Sequence, residues 1–178
     1  MKNITPKTVF WFGLLTLSAV ITRWIPHPSN FTALLAVAIF APVVLSPRLA
    51  IAVVLTSVLL SDLLLGFHSL VPVVYASLLA LVFVGQMIPQ NQTSMKRWTG
   101  MAIGGFLGSA LFFITTNLAV WAFSGMYPLT ENGLVTCFML ALPFFNNSLV
   151  STFIYLAAFE CVRVLVTIRS TKPVPSRA

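Results

Sequence analysis

Few residues in this chain could do chemistry, and they are spread unevenly along it. Of 178 residues, three are acidic (Asp62, Glu131 and Glu160), two are histidines (His27 and His68) and two are cysteines (Cys137 and Cys161). No nucleotide-binding glycine loop, nucleophile elbow or His-Glu-x-x-His pattern is present. General acid–base catalysis needs titratable groups held within reach of one another, and so sparse a set does not supply them. The chain reads as a non-enzyme. His27, His68 and Cys137 are the soft donors that could reach a metal or the cobalt of a corrinoid. No local ligand spacing joins them, so neither a metal site nor a bound cofactor is expected.

Other polar residues gather near the ends of long apolar runs, and they fall mainly on one side. Arg23, His27 and Asn30 surround the first break, and Asp62 and His68 surround the third. Asn117, Trp121, Tyr127, Thr130, Glu131 and Asn132 flank the fifth, with Cys137 just beyond. Polar groups at membrane depth are costly and mark functional sites. Asp62 has two readings: an ion pair with Arg23, at the matching level of the first run, or a contact to a ligand or coupling cation. A pair at a cavity mouth could serve as both, acting as a gate.

Asn117 and Trp121 are spaced i, i+4 and share one helix face. Together they suit a ligand with flat and polar parts; alternatively Trp121 belongs to an interfacial aromatic belt and Asn117 bonds a neighbouring helix. Pro143 withholds a backbone donor from the carbonyl of Met139. Asn146 and Asn147 follow it at mid-membrane, as part of a solute site or of a helix–helix hydrogen bond.

The elements that must position these residues follow from composition. The chain is 58% hydrophobic and 7% charged, whereas soluble domains carry roughly 25% charged residues. Apolar runs cover 8–25, 31–46, 49–66, 70–88, 99–123 and 134–160, and a span needs roughly 20 apolar residues. This predicts an all-α, polytopic membrane protein: one six-helix transmembrane domain over 1–170 and a basic cytoplasmic tail over 171–178. The second run is short and contains Pro42, so a tilted or kinked span is expected there. The first run follows Lys2 and Lys7 as a signal peptide would, but no small-x-small cleavage pattern follows it, so it is read as the first helix.

With the N-terminus inside, Lys2, Lys7, Arg48, Lys96, Arg97, Arg163, Arg169, Lys172 and Arg177 are cytoplasmic and only Arg23 is outside. That bias places both termini in the cytoplasm. The net charge of +7 sits in loops and tail rather than in a stripe, which argues against nucleic acid. Cys137 and Cys161 are 24 residues apart on one expected helix, about 36 Å at 1.5 Å per residue. No disulfide joins them. Gly100, Gly104 and Gly108 form a small-xxx-small stripe for close helix packing, internal or with a partner.

Arg23-Trp24-Ile25-Pro26-His27-Pro28-Ser29-Asn30-Phe31-Thr32 resembles the opening motif of a family of small bacterial membrane proteins recorded as a domain of unknown function. Ser61-Asp62, Asn117 to Trp121, Tyr127-Pro128, Gly133-Leu134 with Cys137, and Pro143 to Asn147 match its pattern too, so the resemblance covers nearly the whole chain. Such proteins are similar in architecture to the S components of energy-coupling factor vitamin transporters and to the related solitary cobalamin transporter. The resemblance implies an S-component-like bundle in the bacterial inner membrane. The first helix lacks the Ala-x-x-x-Ala docking stripe of S components, while Ala33, Ala36, Ala38 and Ala41 crowd the second run.

The function expected is uptake of a small external solute, vitamin-like or a cofactor precursor, with a corrinoid among the candidates. Asn30, Asp62, His68, Asn117, Trp121, Tyr127, Cys137, Asn146 and Asn147 are the candidate ligand residues, and Tyr127 with the 124–133 loop is the candidate lid. Expected partners are the lipid bilayer, the solute and an energising membrane protein. The alternative is a scaffold of a cell-envelope complex that presents the glycine stripe to a partner.

Overall fold

Six helices form where the sequence breaks its apolar runs: α1 (Pro6–Trp24), α2 (Leu34–Val44), α3 (Pro47–Leu65), α4 (Val71–Gln86), α5 (Ser94–Phe123) and α6 (Glu131–Thr171). The computed structural model describes residues 5–89 and 94–171; Lys2, Lys172, Arg177 and nearly all of the tail expected at 171–178 lie outside them. No strand occurs among the described residues. Proline stands in the first two positions of α1, α3 and α4, where its missing N–H has no intrahelical partner to lose. Gly66, with φ 93°, ends α3, a backbone setting that a side chain would strain.

The three segments Pro47–Leu65, Met95–Phe123 and Glu131–Ile168 are long and apolar enough to cross a membrane. α2 is not. Its 11 residues extend about 16 Å at 1.5 Å per residue, half the roughly 30 Å of a hydrocarbon core. The helix expected over 31–46 is thus confined to Leu34–Val44, and 25–33 is non-helical. Pro26 and Pro28 explain the break, because the residue before a proline is driven out of the α region. Asn30 then takes φ 63°, a left-handed setting that asparagine tolerates better than most residues.

α2 is the centre of the molecule. Every residue from Leu34 to Pro42 is buried, as expected of a helix that is apolar on all sides. It touches all of the other helices, which surround it in the order α1, α3, α4, α5, α6. Ala33, Ala36, Ala38 and Ala41 are fully buried, so the alanines crowding this run serve close internal packing. At Gly85 of α4 the two backbones nearly touch: a Cβ there would collide with the carbonyl of Ile39. The stripe on α5 is also used within the chain. A Cβ would stand 2.8 Å from Pro89 at Gly100, 3.5 Å from Ile88 at Gly104 and 2.7 Å from Ile39 at Gly108. Trp11 on α1 packs on Phe40 of α2 at 5.8 Å between ring centres, and Phe40 packs on Phe159 of α6 at 5.6 Å.

Candidate functional site

The 25–33 segment lies at the end of the bundle where α1, α3 and α5 finish and α2, α4 and α6 begin. It is fastened on both sides. Thr22 Oγ1 accepts from the backbone N–H of Ala33 at 3.0 Å, and Asn147 Nδ2 donates to the carbonyl of Ser29 at 3.0 Å. Two tight internal bonds, Phe31 N–H to Pro28 O (2.9 Å) and Thr32 N–H to Asn30 O (3.1 Å), hold its bend. These contacts hold Asn30 and Thr32 at the head of α2.

Beside this segment, Arg23 and Asp62 together join three helices. Its Nη1 donates to Ser61 Oγ at 2.6 Å, and its Nη2 lies 2.8 Å from Asp62 Oδ1. The second contact lacks hydrogen-bond geometry and acts as an ion pair. Tyr75 OH from α4 donates to the other carboxylate oxygen at 3.0 Å. Asp62 is almost wholly buried, and both of its oxygens face these two neighbours. An intramembrane carboxylate is tolerated when paired in this way.

Two cavities open beside the pair. The larger, about 570 Å³, is bounded by the start of α4, the end of α5, the start of α6 and the 124–130 loop. Its polar lining comes from Asn30, His68, Thr116, Asn117, Tyr127 and Cys137, and the rest is apolar, including Phe112 and Phe144. The smaller, about 330 Å³, lies over the head of α2 and is lined by Arg23, His27, Thr32 and Ser148 among others. Asn30, His68, Val74 and Phe112 line both, so the two are lobes of one recess. A few polar groups on apolar walls, at a volume within about 300–1,000 Å³, fit a small-molecule site.

A short loop covers the larger lobe. Trp121 Nε1 donates to the carbonyl of Pro128 at 3.1 Å, and Gly133 packs so closely under that carbonyl that a Cβ would collide with it. This anchor sets Met126 and Tyr127 against the cavity. Cys137, buried, has its thiol 3.5 Å from the carbonyl of Asn117. The amide nitrogen of Asn117 donates back to Phe113 O at 2.8 Å, and its oxygen has no partner among the described residues.

The candidate residues therefore divide. Asn30, His68, Asn117, Tyr127 and Cys137 line the larger lobe, and Arg23, Asn30 and His68 line the smaller. Asp62, Trp121, Asn146 and Asn147 line neither: Asp62 holds Arg23, Trp121 holds the loop, Asn147 holds the 25–33 segment and Asn146 is exposed. Thr116 and Ser148 line the recess without having drawn attention in the sequence. Each sits inside an apolar run beside a more conspicuous asparagine, where a hydroxyl reads as a helix-compatible space filler. No group of three His, Cys, Asp or Glu converges on a metal-sized site among the described residues.

At the opposite end, Glu160 is buried on α6. It bonds Arg163 through both carboxylate oxygens at 2.6 Å and lies 3.5 Å from Arg97 of α5. In the sequence, Arg97 and Arg163 read only as orientation signals. This cluster ties the base of α5 to α6.

The fold and site together define an all-helical protein, with helices long and apolar enough to cross a membrane and a polar-lined recess at one end of the bundle. The chain belongs to a family of unknown function (DUF6580), whose model matches residues 2–173. Neither a curated protein nor a solved structure matches it.

Proposed function

We propose that this protein binds a small solute outside the bacterial inner membrane and carries it inward. The observation that carries this reading is the two-lobed recess at one end of the bundle, floored by the buried head of α2 and covered by the 124–130 loop. The chain crosses the membrane six times in this reading, with both termini in the cytoplasm. The non-helical 25–33 segment and α2 together make the second crossing, which keeps the count even. In this reading the exposed residues of that segment, Ile25, Pro26 and Pro28 to Asn30, lie at the outer interface where water reaches their backbone, and only Ala33 is buried in the bundle. The recess then faces outward, opposite the basic loops.

The volume of the recess suits a vitamin-sized molecule better than an intact corrinoid. Asn30, His68, Asn117, Tyr127 and Cys137 contact the solute, and Arg23–Asp62 stands beside the site as a fixed pair. In an S-component-like reading, an energising membrane partner supplies the work. The absence of an Ala-x-x-x-Ala stripe on α1 equally favours a protein that acts alone. The scaffold alternative loses its surface, because Gly100, Gly104 and Gly108 pack within the chain.

The first test is native mass spectrometry of protein released from mild detergent. A reproducible bound metabolite, lost in Asn117→Ala while the variant still inserts and unfolds at the same temperature, is the expected result. Repeated apo masses, with a second polypeptide in fixed ratio, would replace this reading with the scaffold.

A further inference from the structure

We infer that the smaller lobe takes a carboxylate, so that the solute is a monoanionic acid whose apolar body fills the larger lobe. The inference rests on the solute-binding reading above and deepens it.

Three independent features meet in this lobe. The first is the head of α2. The N–H of Ala33 is taken by Thr22, and that of Leu34 reaches Thr32 Oγ1 only at 3.5 Å. The N–H groups of Leu35 and Ala36 have no acceptor among the described residues. Unsatisfied first-turn donors at the positive end of a helix attract anions. An interrupted helix whose head lies at membrane depth is a recurrent device for receiving the anionic group of a transported solute.

The second feature comes from a different helix. Ser148 on α6 is 4% exposed and lines the same lobe, yet its hydroxyl makes no hydrogen bond among the described residues. The other buried helical serines have partners: Ser57, Ser61 and Ser77 bond the carbonyl four residues back, Ser151 bonds that of Ser148, and Ser109 bonds Thr152. The hydroxyl is not sealed off by protein but open to the lobe, where a carboxylate oxygen would accept its hydrogen bond.

The third feature is the charge of the walls. No carboxylate lines either lobe, while Arg23, His27 and His68 do. Because Asp62 already offsets Arg23, the remaining positive potential is the roughly half charge of the α2 head. That matches one negative charge better than the two of a phosphate.

The test is direct binding of matched probes to the purified full-length protein in detergent. The probes are a series of ω-phenylalkanoic acids, their primary amides and the corresponding phenylalkyl phosphates, measured by calorimetry on wild type, Ser148→Ala and Asn117→Ala. The acid is expected to bind at least about tenfold more tightly than its amide, and Ser148→Ala to remove most of that preference, as loss of a hydrogen bond to a charged group does. Asn117→Ala is expected to weaken acid and amide alike. Equal binding of acid and amide, both sensitive to Asn117→Ala, would overturn the carboxylate inference and leave the solute site standing. Phosphates binding more tightly than acids would overturn the monoanion. Binding of no probe at any chain length would overturn the inference and the solute reading together. The wild-type comparison of acid with amide decides the matter even where Ser148→Ala does not fold.

Discussion

Asp62→Asn keeps the shape of the side chain and removes the charge that Arg23 faces at 2.8 Å. Breaking a fully buried pair costs about 3–5 kcal/mol, and because the Arg23 side chain is 21% exposed the cost here should fall to about 1–3 kcal/mol. A lower unfolding midpoint in detergent is the expected result, and it should be largely recovered in Arg23→Met/Asp62→Leu, where no charge is left alone. An unchanged midpoint in Asp62→Asn would show that the pair holds nothing together. At this scale the sequence was legible where charge was rare, since one acid and one base at matching levels left few other partners. It was opaque for Ser148 and Thr116, whose hydroxyls look alike whether they bond their own helix or face a cavity. Glu160 was visible as a charge, and Arg163 stands three residues along the same helix, within reach of it; Arg97 could be found only once α5 and α6 were placed side by side.

Two glycines with the same helical propensity separate packing from composition. At Gly85 a Cβ would run into the carbonyl of Ile39, whereas at Gly13 nothing lies within 4 Å. Gly85→Ala should therefore prevent normal accumulation in the membrane, because neither backbone can give way. Gly13→Ala should leave expression unchanged and raise stability by up to about 1 kcal/mol, the usual gain of alanine over glycine within a helix. Quantitative expression and thermal melts of the two variants side by side would check this, and equal behaviour would contradict the close approach of α2 and α4. The existence of all six helices was readable from the apolar runs and the prolines between them. The character of α2 was not. Hydropathy records that a segment avoids water, and it does so equally for a helix against lipid and one wrapped by other helices. Ala33, Ala36, Ala38 and Ala41 carried the distinction, since small residues let five neighbours close in on one rod.

Across the whole molecule, the succession α1, α3, α4, α5, α6 around α2, open between α6 and α1, explains why residues far apart in sequence share one recess. No sequence pattern displayed that order, and so the union of Asn30, His68 and Asn117 in one cavity was beyond its reach. The proposed orientation puts the 124–130 loop outside and the start of α1 inside. In a background with Cys137 and Cys161 replaced by serine, a membrane-impermeant maleimide applied to intact bacterial cells should label Leu129→Cys and spare Thr5→Cys until the cells are opened. The reverse pattern would turn the recess toward the cytoplasm and convert uptake into export.

The burial of α2 also bears on how the protein is made. Leu34–Val44 follows α1 out of the ribosome, before most of the helices that enclose it have been synthesised. Eleven apolar residues are too few to hold a stable transbilayer position alone. The segment must wait near the membrane surface, or beside the insertion machinery, until α4, α5 and α6 arrive to enclose it. The recess is then completed in the last step of assembly, when α6 brings Ser148 to the head of α2, and a chain stopped before that point would present no finished site.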